Sequence, residues 1–254
     1  VGVPIVYTWP AGSGGLRGYA YDRESGEFTI VHLKQLLYAL ASCPEVEKVH
    51  IISHSRGTDV AFTTLREINA ELRGLTGVSL FSSLEPDRGV AMPADGSIPG
   101  KMAWELLKLE TWILAAPDLD MDVFAQRFFG ENLIRAANRT IVYFSAEDSA
   151  LDWARWLFSS KRRIGELHID DISPEHRAMI ARLSHMQLIN AQVTGFTTHS
   201  YILQHPSALS DVILLLREEA APGSPQRPLG VACEGIWQMS NDYQKPARQE
   251  GEGR

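Results

Sequence analysis

Apolar residues recur along this chain in two periods. Short runs rich in β-branched and aromatic residues lie at Val3–Thr8, Glu47–Ser53, Thr111–Ala115, Thr140–Phe144 and roughly Gln187–Thr194. Their length and composition predict buried strands. Between them the spacing changes to that of a helix. Phe28, Ile30, Val31, Leu33, Leu36, Leu37 and Leu40 fall mostly on one face of a helix over 25–42, with Ser25 placed to cap it. Val60, Ala61, Leu65, Ile68 and Leu72 do the same for 58–73, and Leu151, Ala154, Trp156 and Leu157 for 149–158. Pro206 suits the first turn of a helix over 205–219, whose apolar side is Val212, Ile213, Leu215 and Leu216.

Apolar strands alternating with amphipathic helices predict an α/β fold, a mainly parallel, doubly wound sheet with helices on both faces. Three stretches break the alternation. Residues 74–100 are rich in Gly, Pro and Ser and read as a long loop. Residues 173–185 read as an inserted amphipathic helix. Residues 221–254 read as a C-terminal tail, partly disordered or packed on a domain that spans 1–220.

Composition narrows the partners. At 254 residues, 44% apolar and 22% charged, the chain can bury a sizeable core. A formal charge of −7 argues against nucleic acid as the main partner, because phosphate binding needs a basic face. There is no 18-residue apolar run that could span a bilayer. Cys43 and Cys233 form neither a disulfide framework nor a metal-ligand spacing.

The chemistry concentrates where strand 47–53 meets helix 58–73, in Ser53-His54-Ser55-Arg56-Gly57. In a G-x-S-x-G elbow, small residues flank the serine because the strand must reverse sharply into a helix, holding the hydroxyl above the sheet in strained backbone. Ser53 replaces the first glycine and is small enough to keep the close packing. Ser55 is therefore the candidate nucleophile, and the backbone N–H of Arg56, the next residue, the candidate oxyanion donor.

A serine hydroxyl needs a histidine to take its proton, and that histidine needs an acid to fix its tautomer. His199, in Gly195-Phe-Thr-Thr-His-Ser-Tyr201, follows the last predicted strand and is the candidate base. For the acid, Asp148 follows strand 140–144, with Glu147 beside it. Asp118 and Asp120 follow the preceding strand and are the alternatives; Asp148 is equally suited to capping a helix. His54 should turn away from Ser55 and, with Trp9, line the substrate pocket.

Two other motifs fail on their spacing. Asp118-x-Asp120-x-Asp122 would need Gly and Glu where Val123 and Phe129 stand, so it is no calcium loop. The glycine-rich run 9–18 has Arg17 at the last glycine position of a dinucleotide fingerprint and no Gly-Lys-Ser/Thr. It reads as a loop over a pocket, with Trp9 as an apolar wall.

The segments YTWPAGSGGLRGYAYDRES, HIISHSRGTD and LAAPDLDMDVF, followed by YFSAEDSAL and FTTHSYIL, together resemble a bacterial α/β-hydrolase family of unknown function grouped with esterases and lipases. The resemblance covers about residues 1–216. It implies an α/β-hydrolase fold with Ser55, Asp148 and His199 as triad. The acyl-transfer chemistry of such a triad points to a small-molecule ester or lipid-like substrate and needs no cofactor or metal. The resemblance further implies an earlier strand ending in a His-Gly motif that donates a second oxyanion N–H. By that pattern the chain is expected to be N-terminally truncated and the elbow strand to have an open side. The alternative to an esterase is a hydrolase-fold binding or scaffold protein without turnover.

Overall fold

A computed structural model describes residues 2–10, 15–76, 103–146, 163–192, 199–240 and 243. Its framework is a six-stranded sheet in the order β1-β2-β3-β4-β6-β5, formed by Val49–His54, Leu109–Ala115, Arg139–Phe144, Met186–Gln192, Gly230–Cys233 and Ile236–Ser240 for β1 to β6. All neighbours are parallel except β5 and β6, which pair antiparallel.

The strands are apolar on both sides because both faces are covered. Trp112, Leu114, Val142, Phe144 and Leu188 face one core, shared with Leu37 of helix α1 (Gly15–Ser42) and Ala61, Phe62, Leu65 and Ile68 of helix α2 (Gly57–Thr76). The alternate residues Ile113, Ala115, Ile141, Tyr143, Ile189 and Ala191 face the other, with Ala208, Val212 and Leu215 of the helix Pro206–Glu218. The expected doubly wound arrangement is what the chain adopts.

Helix boundaries shift where local chemistry outweighs periodicity. The first helix begins ten residues before Ser25, so Ser25 lies inside it and its hydroxyl donates instead to the Pro10 carbonyl at 2.6 Å. The inserted helix is short, Pro174–Ala181, capped by the Ser173 hydroxyl, which accepts from the His176 N–H. Helix 149–158 and nearly all of the expected loop 74–100 lie outside the described residues.

The expected strand Val3–Thr8 does not form. Residues 2–10 carry no secondary structure, and Val3 and Val6 are 88% and 86% exposed. β-propensity makes a strand only where a neighbour satisfies its backbone, and none of the six strands pairs with this segment. The Tyr7 hydroxyl, bonded to Thr29, ties it to α1. On the same side β1 is the edge of the sheet, and its Ile52 is 46% exposed.

At the other edge, β5 and β6 arise from the stretch after 220. Gly235 turns between them at a φ of 76°. A buried ionic cluster fixes this segment. The Arg227 guanidinium donates to both carboxylate oxygens of Asp211 at 2.8 Å and to the Gln187 side chain at 2.7 Å. The hydroxyls of Tyr143 and Tyr243 also donate to Asp211. Burial, then the adjacent Asp211 charge, holds the Tyr143 hydroxyl well above its ordinary pKa. For Arg227, burial opposes the charged form, but the Asp211 carboxylate outweighs it and raises the guanidinium pKa.

Candidate active site

β1 ends at His54 and α2 begins at Gly57, leaving two residues for the reversal. Ser55 makes the turn with φ 52°, the left-handed region that side chains with a Cβ avoid. The surroundings fix that conformation. The Ser55 N–H donates to the Ala115 carbonyl at the end of β2 (3.0 Å), and the Ser55 carbonyl accepts from Thr58 and Asp118 (3.0 and 3.4 Å). Strain of this kind persists only where the surrounding structure over-determines it.

Ser53, standing where the elbow pattern has glycine, does more than fit. It is buried, donates to the Ile113 carbonyl at 3.0 Å and accepts from the Trp112 indole N–H at 3.1 Å. The hydroxyl thus bolts β1 to β2 beneath the turn. At Gly57 an added Cβ would lie 3.4 Å from the Trp9 ring, so Trp9 packs against the start of α2, beside the elbow.

His199 comes from the C-terminal side of β4, just before the short helix Tyr201–Gln204. Its Nε2 lies 2.6 Å from Ser55 Oγ. Residues 144 positions apart are therefore in direct hydrogen-bond contact, at the C-terminal end of the parallel strands where open α/β sheets place their sites. For Nε2 to accept from the hydroxyl, the other ring nitrogen must carry the proton.

His54 does not turn away from the site. Its ring centroid is 5.0 Å from that of His199, and its Nε2 is 2.9 Å from the His199 carbonyl oxygen. Strand alternation would send neighbouring side chains to opposite faces, but the left-handed turn at Ser55 breaks the pleat there. Residues 54 and 55 consequently both reach His199.

The two alternative acids have other engagements. Asp120 caps the helix Met121–Ala125, its Oδ1 accepting from the N–H groups of Asp122 and Val123. Asp118, 3% exposed, lies between two guanidinium groups, Arg56 at 3.7 Å and Arg163 at 3.4 Å. Arg56 also reaches Asp59 at 3.5 Å. The residue after Ser55 is thus braced through its side chain from both α2 and the segment following β2. Backbone bonds from Ile164 and Gly165 to Leu119 and Pro117 hold the Arg163 segment against it. Asp148 and Glu147 lie outside the described residues.

Sequence reasoning missed the His54 contact and the Arg56–Asp118–Arg163 group. A signal for the second was present: an arginine on the elbow and an acidic run after the adjacent parallel strand end at the same sheet edge. Arg163 has no counterpart signal, because its approach depends on the path of the intervening chain. Among the described residues, no cluster of three or more His, Cys, Asp or Glu side chains could hold a metal ion. No described helix is long and apolar enough to cross a membrane.

Neither the curated proteins nor the solved structures hold a match to the chain. Residues 1–217, containing both the elbow and His199, match the family model described as an alpha/beta hydrolase of unknown function (DUF900), and the chain belongs to that family.

Proposed function

We propose that the chain is a serine hydrolase that cleaves a carboxylic ester by acyl transfer. The observation that carries this reading is the 2.6 Å contact between His199 Nε2 and the hydroxyl of Ser55, on a positive-φ turn between a parallel strand and a helix. Ser55 Oγ attacks the ester carbonyl while its proton passes to His199 Nε2. The backbone N–H of Arg56, at the head of α2, faces the oxyanion that develops, a type of contact worth about 10²–10³ in rate. Collapse of the tetrahedral intermediate expels the alcohol, which takes the proton from His199. Water, deprotonated by His199, then attacks the acyl-enzyme and releases the carboxylic acid and free Ser55.

Asp148 is the acid assigned to orient His199, since a carboxylate accepting from Nδ1–H leaves Nε2 free to act. Trp9, packed beside Gly57, supplies an apolar wall of the pocket. A small-molecule ester or lipid-like compound is the substrate class this chemistry suits.

The test is covalent labelling with a fluorophosphonate probe and mapping of the adduct by mass spectrometry, alongside hydrolysis of p-nitrophenyl esters of two to twelve carbons. An adduct on Ser55, absent in Ser55→Ala, is expected. Failure of the wild-type chain to label, or an adduct that persists in Ser55→Ala, refutes the esterase reading and favours a hydrolase-fold binding protein.

A further inference from the structure

We infer that His54 is a positioning residue for His199, holding the main chain of the base against the elbow; the inference rests on the serine hydrolase reading of the site. The direction of the His54 hydrogen bond is fixed by chemistry. A carbonyl oxygen only accepts, so at 2.9 Å the His54 Nε2 must carry the proton and donate. His199 is then gripped twice from consecutive residues. Its ring meets Ser55 Oγ at 2.6 Å and its carbonyl meets His54 at 2.9 Å.

The two grips do different work. A single ring-to-hydroxyl contact fixes a distance but leaves the imidazole able to swing about it. Anchoring the carbonyl of the same residue removes much of that swing, because it fixes the backbone from which the side chain departs. The tilted packing of the two rings, 48° apart at a 5.0 Å centroid separation, limits rotation further. Reactive geometry is sensitive to this: a displacement of about 1 Å costs about 10² in rate.

His54 itself sits at the last residue of β1, in register with Ala115 of β2. Its own backbone is therefore held by the sheet, and the rigidity of the sheet passes through the His54 ring to the base. His54 does not touch the reacting atoms in this scheme. It acts through His199, and the substrate-binding step should not register its loss.

The bond is made by Nε2, the far nitrogen of the ring, and side-chain length is what the experiment exploits. Gln places its amide nitrogen near that position, whereas the amide of Asn corresponds to the near nitrogen, Nδ1. His54→Leu, His54→Asn and His54→Gln are compared with wild type for p-nitrophenyl ester kinetics, for the rate of fluorophosphonate labelling of Ser55, and for thermal midpoint. The expected result is a ten- to hundredfold loss of kcat in the Leu and Asn variants, with KM within about twofold. His54→Gln should recover most of the rate, and labelling should follow the same ranking.

Equal kcat in all four proteins overturns the inference. So does a Gln variant as impaired as Leu, which would mark His54 as packing only. A rise in KM at unchanged kcat also overturns it and assigns His54 to substrate contact. A wild-type chain that neither labels at Ser55 nor hydrolyses any ester removes the underlying reading, an outcome distinct from these three. Thermal midpoints within a few degrees across the set show that the kinetic ranking is not a ranking of folded fraction.

Discussion

Substituting Ser55 by Gly and, separately, by Ala isolates the strain held at the elbow. Both variants lose the hydroxyl and its contact with His199, so the comparison between them cancels that loss. They differ in how each tolerates a φ of 52°. The left-handed region costs a residue with a Cβ about 1–2 kcal/mol, and Gly avoids this cost. Against it, Gly loses about 0.5–1 kcal/mol more conformational entropy on folding than Ala. With the middle of each range, about 1.5 against about 0.75, Ser55→Gly is left more stable than Ser55→Ala by about 0.75 kcal/mol. In a chain of this length 1 kcal/mol moves the thermal midpoint by about 2–4 °C, so a shift of about 1.5–3 °C is expected. Urea titration at unchanged slope, with calorimetry alongside, resolves a difference of this size. Both variants should be blank to the fluorophosphonate probe. If Ser55→Ala is as stable as Ser55→Gly, or more so, the turn stores no strain and the reasoning from its backbone fails.

Four further outcomes are expected. Asp148→Ala should lower kcat by about 10⁴ with little loss of fold, whereas Asp120→Ala should cost about 1 kcal/mol of stability as a lost cap and leave kcat near wild type. Asp118→Ala should destabilise by about 3 kcal/mol, because Arg56 and Arg163 lose the carboxylate between them; a 10⁴ loss of kcat confined to Asp118 or Asp120 would move the acid role there. Gly235→Ala should cost about 3 kcal/mol in urea unfolding, since a Cβ there falls 2.8 Å from the Ala181 nitrogen and 2.9 Å from the Arg177 carbonyl on a backbone of φ 76°; an unchanged midpoint would refute the contact. Tyr38 carries a hydroxyl whose pKa is pushed up from 10.0 to about 12 by burial and by its hydrogen bond to Glu71. A raised pKa means its contribution is intact below pH 10 and is lost as pH climbs through about 12, so Tyr38→Phe should show a flatter stability profile across that window in alkaline unfolding.

The parts of the fold legible in the sequence were those where local and tertiary demands coincide. Strand β1, the turn at Ser55 and helix α2 each carry their own signature, and His199 is placed by its order after β4. Val3–Thr8 misled because β-branched composition reports a preference, while a strand also needs a partner for its backbone. β5 and β6 were missed for the converse reason. Gly230, Cys233 and Gln238 form no periodic apolar pattern, and the segment is held by Arg227 and Tyr243 converging on Asp211, a carboxylate inside a different helix. The ion pairs of Asp118 were hidden because an acid at a strand end serves equally well as a catalytic group, a cap or an ion-pair partner, and the approach of Arg163 is not written in the local pattern.

The Asp211 cluster sets a boundary for anyone cutting this chain. The family match ends at residue 217, yet Arg227 and Tyr243, both bonded to the fully buried Asp211, lie beyond it. A piece trimmed at the family limit keeps the carboxylate and discards its counter-charge. It would hold an uncompensated anion on the second face of the sheet and leave β4 without the strand that borders it. During synthesis the same dependence holds: β6 and Tyr243 become available to that side of the sheet only once residues up to 243 have cleared the ribosome.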